Sequence, residues 1–322
     1  NLSKWIILKE VDEKYYLARL LEKLIHEINT KLNLVIHVNN ESFGYMPEIV
    51  KIVERKVGKL TNIRVEVDLD MNENGIKLFR LSSEFFPWAS EYNFEELPQY
   101  NRIKTLLAGC GKYANDNGIR ITSHPGPFNV LVSPRQNVVE NTITDLEIHG
   151  KIFDMMGLSQ SHYNKINIHC NGVYGDKISA MDRFCENFKR LSPSVQSRLT
   201  VENDDKASMY SVKDLMYIHN KIGIPIVFDY HHHKFNTGGL SEEDALKLAI
   251  TTWPKGITPI VHYSESKALH EENDKLKPQA HSDYINNVPN LYGTDVAVMV
   301  EAKAKELAIL PFINKVSKLI KE

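Results

Sequence analysis

The residues able to do chemistry are histidines and carboxylates that close short β-branched runs. His124 follows Ile121 to Ser123, His169 follows Ile166 to Ile168, and Glu202 follows Leu199 to Val201. Asp229 follows Ile226 to Phe228, His262 follows Pro259 to Val261, and Glu301 follows Val296 to Val300. Imidazoles mixed with carboxylates form the ligand set of Mn, Fe or Zn. A single such residue at one strand end is as readily a hydrogen-bonded structural group as a ligand. Six at corresponding places imply a shared mouth. Three carboxylates gathered there repel unless they are protonated or bridged by cations, so a site for several metal ions resolves the crowding.

Two loops extend the set. Asp229 and His232 stand three residues apart at a strand-to-loop turn, where both can face one centre, and His281 lies on the following loop. Successive side chains cannot all point inward, so His232 is assigned to the centre, with at least one of His231 and His233 facing water. His26, His149, His162, His219 and His270 read as structural groups in helices or loops. About eight or nine ligands suit two or three ions that keep positions open for water and substrate. Clustered divalent cations suit phosphodiester hydrolysis, because they activate water and neutralise the charge that builds on phosphorus and the leaving oxygen. A two-metal sugar isomerase uses a similar rim, so the ligands alone leave that alternative open.

Parallel strands would bring these side chains together. Seven runs start near Gly75, Gly118, Lys165, Leu199, Pro225, Thr258 and Asp295, roughly 25 to 45 residues apart, the length of one strand plus a crossover helix. Near-continuous Ile and Val content marks strands covered on both faces. With one more strand from the N-terminal region the count is eight, which predicts an α/β fold of the (β/α)8 TIM-barrel type, with active-site residues at the C-terminal strand ends. Neither G-x-G-x-x-G nor G-x-x-x-x-G-K-[ST] occurs, which argues against a nucleotide cofactor.

Residues 1 to 69 are read as an N-terminal elaboration of one domain spanning 1 to 322. The pattern predicts helices over Lys14 to Thr30 and Pro47 to Gly58. The first barrel strand is either Leu34 to Val38, which would carry His37, or Ser42 to Tyr45.

Composition sets the remaining bounds. The 322 residues are 42% hydrophobic and 25% charged, enough to bury a large core, and the three cysteines build no disulfide framework. No run approaches the ~18 apolar residues of a membrane span, and no secretion signal is visible, so an intracellular protein without a membrane association is expected. The chain starts at Asn1 rather than Met, which leaves room for an upstream segment. Lys and Arg number 39 against 41 Asp and Glu, for a net charge of −2. That balance lacks the bulk basicity of a nucleic-acid binder, but bound cations would add positive charge where a phosphate docks.

Several stretches together resemble the UV damage endonucleases. They are Asn72 to Ser83, Ser123 to Gly126, His169 to Lys177, Val201 to Asp205, Asp229 to His233, His262 to Ser264, His281 to Tyr284 and Glu301 to Glu306, in that family's order. The resemblance implies a (β/α)8 barrel that holds two or three divalent metals. Manganese is the expected metal, with Zn, Mg or Co as alternatives. It also implies nicking of double-stranded DNA immediately 5′ of a pyrimidine photodimer, by a protein expected to be monomeric. Carried over by position, the metal ligands are His124, His169, Glu202, Asp229, His232, His262, His281 and Glu301. Glu202 and Glu301 are the bridging, catalytic carboxylates, since each has two oxygens to share.

This chain departs from the family at several positions. Glu91 stands near the place of a further family histidine and is counted as a ligand that would favour a harder metal. Ile260 occupies the position of a family lysine. Pro127 and Phe128 replace a glutamine and an aromatic that probe the lesion. Phe128 keeps a wedge able to stack where the dimer is extruded, whereas Pro127 has no side-chain hydrogen bond to offer. Tyr45 is assigned as a second wedge, and Lys177 as a DNA contact. The alternatives are an abasic-site endonuclease of the endonuclease IV type and a xylose-isomerase-like sugar isomerase.

Overall fold

The computed structural model describes residues 36–38, 64–65 and 76–319, apart from 84, 87, 88, 98 and 274. Internal contacts divide the chain into two units, Asn1–Gly75 and Ile76–Glu322. In the first unit, β1 (Ile36–Val38) pairs antiparallel with β2 (Arg64–Val65). The run proposed as a candidate first barrel strand therefore pairs within a two-stranded sheet of its own. The other candidate, Ser42 to Tyr45, lies outside the described residues, as do the two predicted N-terminal helices.

The second unit contains seven strands in unbroken chain order: β3 (Leu78–Leu81), β4 (Arg120–Ser123), β5 (Ile166–His169), β6 (Leu199–Glu202), β7 (Ile226–Asp229), β8 (Ile260–Tyr263) and β9 (Ala297–Val300). Every neighbouring pair is parallel. The edge strands β3 and β9 approach each other, so the sheet curls into a nearly closed TIM-type barrel. All seven predicted runs became strands. Their β-branched side chains suit a pleated surface buried on both sides.

The main crossover helices are α1 (Tyr100–Asp116), α2 (Gln136–Met155), α3 (Lys177–Phe188), α5 (Val212–Ile222) and α7 (Glu242–Ile250). Shorter helices are α4 (Pro193–Gln196), α6 (Tyr230–His233) and α8 (Lys267–His270), and α9 (Glu306–Leu319) follows β9. Local chemistry sets where they stop and start. A capping box of Ser211 and Asp214 opens α5, and Gly223 closes it with φ 73°, a left-handed conformation that glycine adopts without a Cβ clash. At Gly111 a Cβ would lie 1.7 Å from the Met156 carbonyl oxygen, so only glycine lets α1 pass this close to the end of α2.

Register decides what enters the barrel. His169 pairs with Glu202 and Asp229 with His262, while Glu301 lies two residues beyond Met299, the partner of His262. Side chains alternate along a strand, so these positions share the inner face at its C-terminal end. Deeper in the barrel, Val227, Ile260 and Met299 pack with Trp253, Leu78 and Ala297. This apolar floor keeps water from approaching the polar rim from below.

Candidate metal centre

Glu202, 1% exposed, is the hub of the rim. Its Oε2 lies 3.2 Å from His124 Nε2 and 3.0 Å from His262 Nδ1, and its Oε1 lies 3.9 Å from His169 Nε2 and 3.6 Å from His232 Nδ1. Glu301 sits alongside, with Oε1 3.1 Å from His262 Nδ1 and Oε2 3.7 Å from His281 Nδ1. Donor atoms of Glu202, Asp229 and His262 fall within 4.8 Å of one another, as do those of His124, His169 and Glu202. Eight of the nine expected ligands thus belong to one continuous cluster. The ninth is Glu91, which lies in the 3-10 turn Ala89–Glu91 and whose side chain is outside the described residues.

Hydrogen bonds orient the rings. Nδ1 of His124 lies 3.1 Å from the Pro125 carbonyl, and Nδ1 of His232 lies 2.9 Å from that of Asn203. A carbonyl only accepts, so each Nδ1 carries the proton and each Nε2 keeps a lone pair. The Nε2 lone pair of His124 then confronts the Glu202 oxygen, an arrangement that calls for a second ring proton or a cation held by both. Nδ1 of His262 makes a directed hydrogen bond to neither adjacent carboxylate, and Asp229 Oδ2 is buried with no partner among the described residues. Buried polar atoms without partners are costly, and lone pairs aimed at a common space are what a divalent cation takes. The donor set fits a metal site.

The electrostatics reflect the same crowding. Burial, together with the charges of Glu202 and Glu301, pushes the Asp229 carboxyl up to about 6, against the pull of His232. Burial opposes ionisation of Glu202 as well, yet His262 and His169 hold its carboxyl well below the ordinary range. Glu301 is held low against burial by Arg80 and His262. His169, despite burial, rises to about 10 beside Glu202 and Asp204. Against burial, the neighbouring carboxylates draw His169, His232 and His262 toward the protonated form, while burial pushes His124 down to about 4.

The sequence reading did not single out several residues that hold this cluster. Asn167 donates through Nδ2 to Glu202 Oε2, and its Oδ1 accepts from Thr200 Oγ1 at 2.7 Å. Asp204 lies 3.2 Å from His169 Nδ1. Arg80 pairs with Glu301. Lys165, fully buried and pushed down to about 7 chiefly by that burial, places Nζ 3.1 Å from His262 Nε2. Ile260 is part of the apolar floor, and the amine near His262 comes from Lys165, just before β5. Asn167 and Arg80 were discoverable as polar residues on inner-face positions, a parity that becomes visible only once the strand ends are fixed.

The three neighbouring histidines behave differently from expectation. His231 and His233 are buried rather than facing water, and His232 is the one oriented to the cluster. They form one helical turn, α6, which spreads consecutive side chains in different directions and gives each a protein environment. His231 lies 3.1 Å from the Gln279 carbonyl and 5.2 Å, ring to ring, from His281.

The DNA-contact candidates separate into three cases. Phe128 is 80% exposed on the turn after β4. Beside it, exposed Pro127 offers its carbonyl to Asn171 Nδ2 at 3.4 Å, which ties this turn to the loop after β5. Lys177 is not brought into the cluster: its ammonium bonds the Met209 carbonyl at 2.7 Å and Asp214 at 3.1 Å. Tyr45 lies outside the described residues.

A family model described as UV-endonuclease UvdE matches residues 48–321. The chain belongs to this family. Relatives within it include a UV DNA damage endonuclease of Bacillus thuringiensis subsp. konkukian, 34% identical over 255 residues, 76% of each chain. A UV-damage endonuclease of Schizosaccharomyces pombe is 39% identical over 257 residues, 77% of this chain and 42% of that longer protein. Among solved structures, SacUVDE superposes with a TM-score of 0.68 at 33% identity, covering 78% of this chain and 83% of that one. A D-tagatose 3-epimerase-like protein matches at a TM-score of 0.50 and 14% identity, covering 76% of this chain and all of the other, a likeness of fold alone. The UvdE match contains every expected metal ligand, and the residues before 48 lie outside it.

Proposed function

We propose that this UvdE-family chain is a metal-dependent DNA repair endonuclease that cuts the phosphodiester immediately 5′ of a UV photolesion, such as a pyrimidine dimer. The observation that carries the reading is the convergence of eight histidine and carboxylate side chains, from the C-terminal ends of six strands, the α6 turn and one loop, on one barrel mouth. The buried Asp229 Oδ2, without a hydrogen-bond partner among the described residues, and the close grouping of donor atoms around Glu202 favour two or three divalent cations, with manganese as the assigned metal. His124, His169, His232, His262 and His281 would hold them with Asp229, Glu202 and Glu301, and Glu91 is proposed as a ninth ligand. Such cations supply Lewis-acid stabilisation of the charge that builds on a phosphoryl group.

The chain's own residues orient and exclude. Thr200 and Asn167 fix the Glu202 carboxylate, and the Pro125 and Asn203 carbonyls fix the His124 and His232 tautomers. The apolar floor closes the site from below. Phe128 is proposed to wedge into the duplex beside the lesion. A photodimer stacks and pairs poorly, so extruding it costs less than extruding normal bases, and selectivity follows without sequence readout. Pro127, Tyr45 and Lys177 complete the proposed DNA contacts, and the N-terminal unit is read as an elaboration of one endonuclease domain. No helix among the described residues is long and apolar enough to cross a membrane. An intracellular monomer acting on double-stranded DNA is the proposed setting.

The test compares duplexes carrying one thymine dimer, one abasic site or no damage, each with protein and manganese. The reading expects a nick 5′ of the dimer and none in the undamaged duplex. Nicking confined to the abasic duplex would assign an endonuclease IV-type activity instead, and intact duplexes throughout would refute the endonuclease reading.

A further inference from the structure

Arg80 enters the barrel from β3, opposite Thr122 of β4, and its Nη1 bonds Glu301 Oε1. It is the Lys or Arg paired with a carboxylate of the cluster among the described residues, and the charges of Glu301, Glu202 and Asp229 keep its guanidinium firmly protonated despite burial. The side chain nevertheless keeps 33% of its surface exposed, whereas Glu301 keeps 13%. A guanidinium has five N–H donors in one rigid plane. One of them is directed to Glu301, and the remaining donors have no hydrogen-bond acceptor among the described residues. A permanent cation that is anchored on one edge, with its other donors unengaged among the described residues, at the mouth of an anionic site, suits a phosphate oxygen.

We propose that Arg80 is a catalytic residue that grips a non-bridging oxygen of the scissile phosphate with the free edge of its guanidinium while the other edge stays on Glu301. The inference rests on the endonuclease reading above. In this role Arg80 sets the distance between the phosphate and Glu301, and it stabilises the charge that accumulates on the equatorial oxygens as the bond breaks. Because Arg80 lies on the first strand of the barrel sheet and Glu301 directly follows the last, the same contact also joins the barrel seam.

The experiment compares wild type, Arg80→Lys and Arg80→Met on the single-dimer duplex with manganese. It reads kcat and KM separately, counts bound manganese per chain, and measures duplex affinity against salt in EDTA. The expectation is a kcat about 100-fold to 1,000-fold lower in both variants with manganese content unchanged. Arg80→Met should also show a salt slope smaller by about one phosphate contact, and added guanidinium should partly restore its kcat. If Arg80→Lys turns over at the wild-type rate, or manganese is lost in step with activity, the phosphate contact is wrong. A gain of one manganese in Arg80→Met would make the guanidinium a substitute for a metal ion and would overturn it too. Failure of the wild type to nick would instead sink the endonuclease reading, and the salt slope in EDTA would then decide the fate of Arg80 by itself.

Discussion

Oε2 of Glu202 lies 3.0 Å from Nδ1 of His262, although the two residues come from β6 and β8 and the strand between them carries Asp229. Three adjacent strands therefore deliver two carboxylates and an imidazole to one point. Glu202→Gln preserves shape and removes the charge. It should lose bound manganese, read by elemental analysis, and lower nicking at least about 100-fold, the scale for losing a charge-stabilising group from an active site. A Glu202→Gln protein with full manganese content would remove Glu202 from the ligand set.

Asn167 contributes no ligand of its own, but it connects Thr200 to the Glu202 carboxylate. Groups that orient ligands typically matter 10-fold to 100-fold in metal affinity, so Asn167→Leu should weaken manganese binding by about that factor. Titration calorimetry measures it. An unchanged affinity would mean that the packing around β6 holds Glu202 without help.

Fold and site were legible in the sequence to different depths. The strands showed because their Ile and Val runs are short, continuous and regularly spaced. Six ligands showed because each ends its run. Arg80, Asn167 and Lys165 were hidden for a physical reason: a polar residue inside an apolar run has no face until the barrel register assigns one. Leu78-Phe79-Arg80-Leu81 reads as a strand with a stray charge, and it is the ion pair with Glu301 that reveals that charge as inward-facing. The burial of His231 and His233 was hidden because the turn after Asp229 is helical, whereas the sequence read as a polar loop.

His281 depends on a clamp that surrounds Glu265. This buried carboxylate accepts from the backbone N–H of Asn286 and Asn287 and from the Tyr263 hydroxyl, and it lies 2.5 Å from His270 Nε2. His270 Nδ1 meets Ser282 Oγ at 2.7 Å, next to His281 in the chain. Glu265→Gln disrupts several of these bonds in a buried setting, so it should cost about 1–3 kcal/mol in chemical denaturation. It should also speed proteolysis between 265 and 290 in the native protein. A stable variant with wild-type cleavage kinetics would contradict the clamp.

Acid sensitivity should trace in part to His162, in the turn before β5. Burial pushes this imidazole down to about 4 from its ordinary 6.5. Between those values the unfolded chain binds a proton that the folded chain refuses, so stability is fully present above about 6.5 and is lost as pH falls toward about 4. In urea denaturation the midpoint of the wild type should drop across that window, and His162→Gln should flatten the drop. Parallel curves for the two proteins would remove His162 as a contributor.

The most direct measurement of the central claim is anomalous diffraction at the manganese edge from crystals grown with that metal. The account predicts at least two manganese peaks inside the ring of His124, His169, Glu202, Asp229, His262 and Glu301, with Glu202 contacting more than one ion. Crystals soaked to saturation that show these side chains bonded only to one another and to water, with no anomalous peak between them, would contradict it.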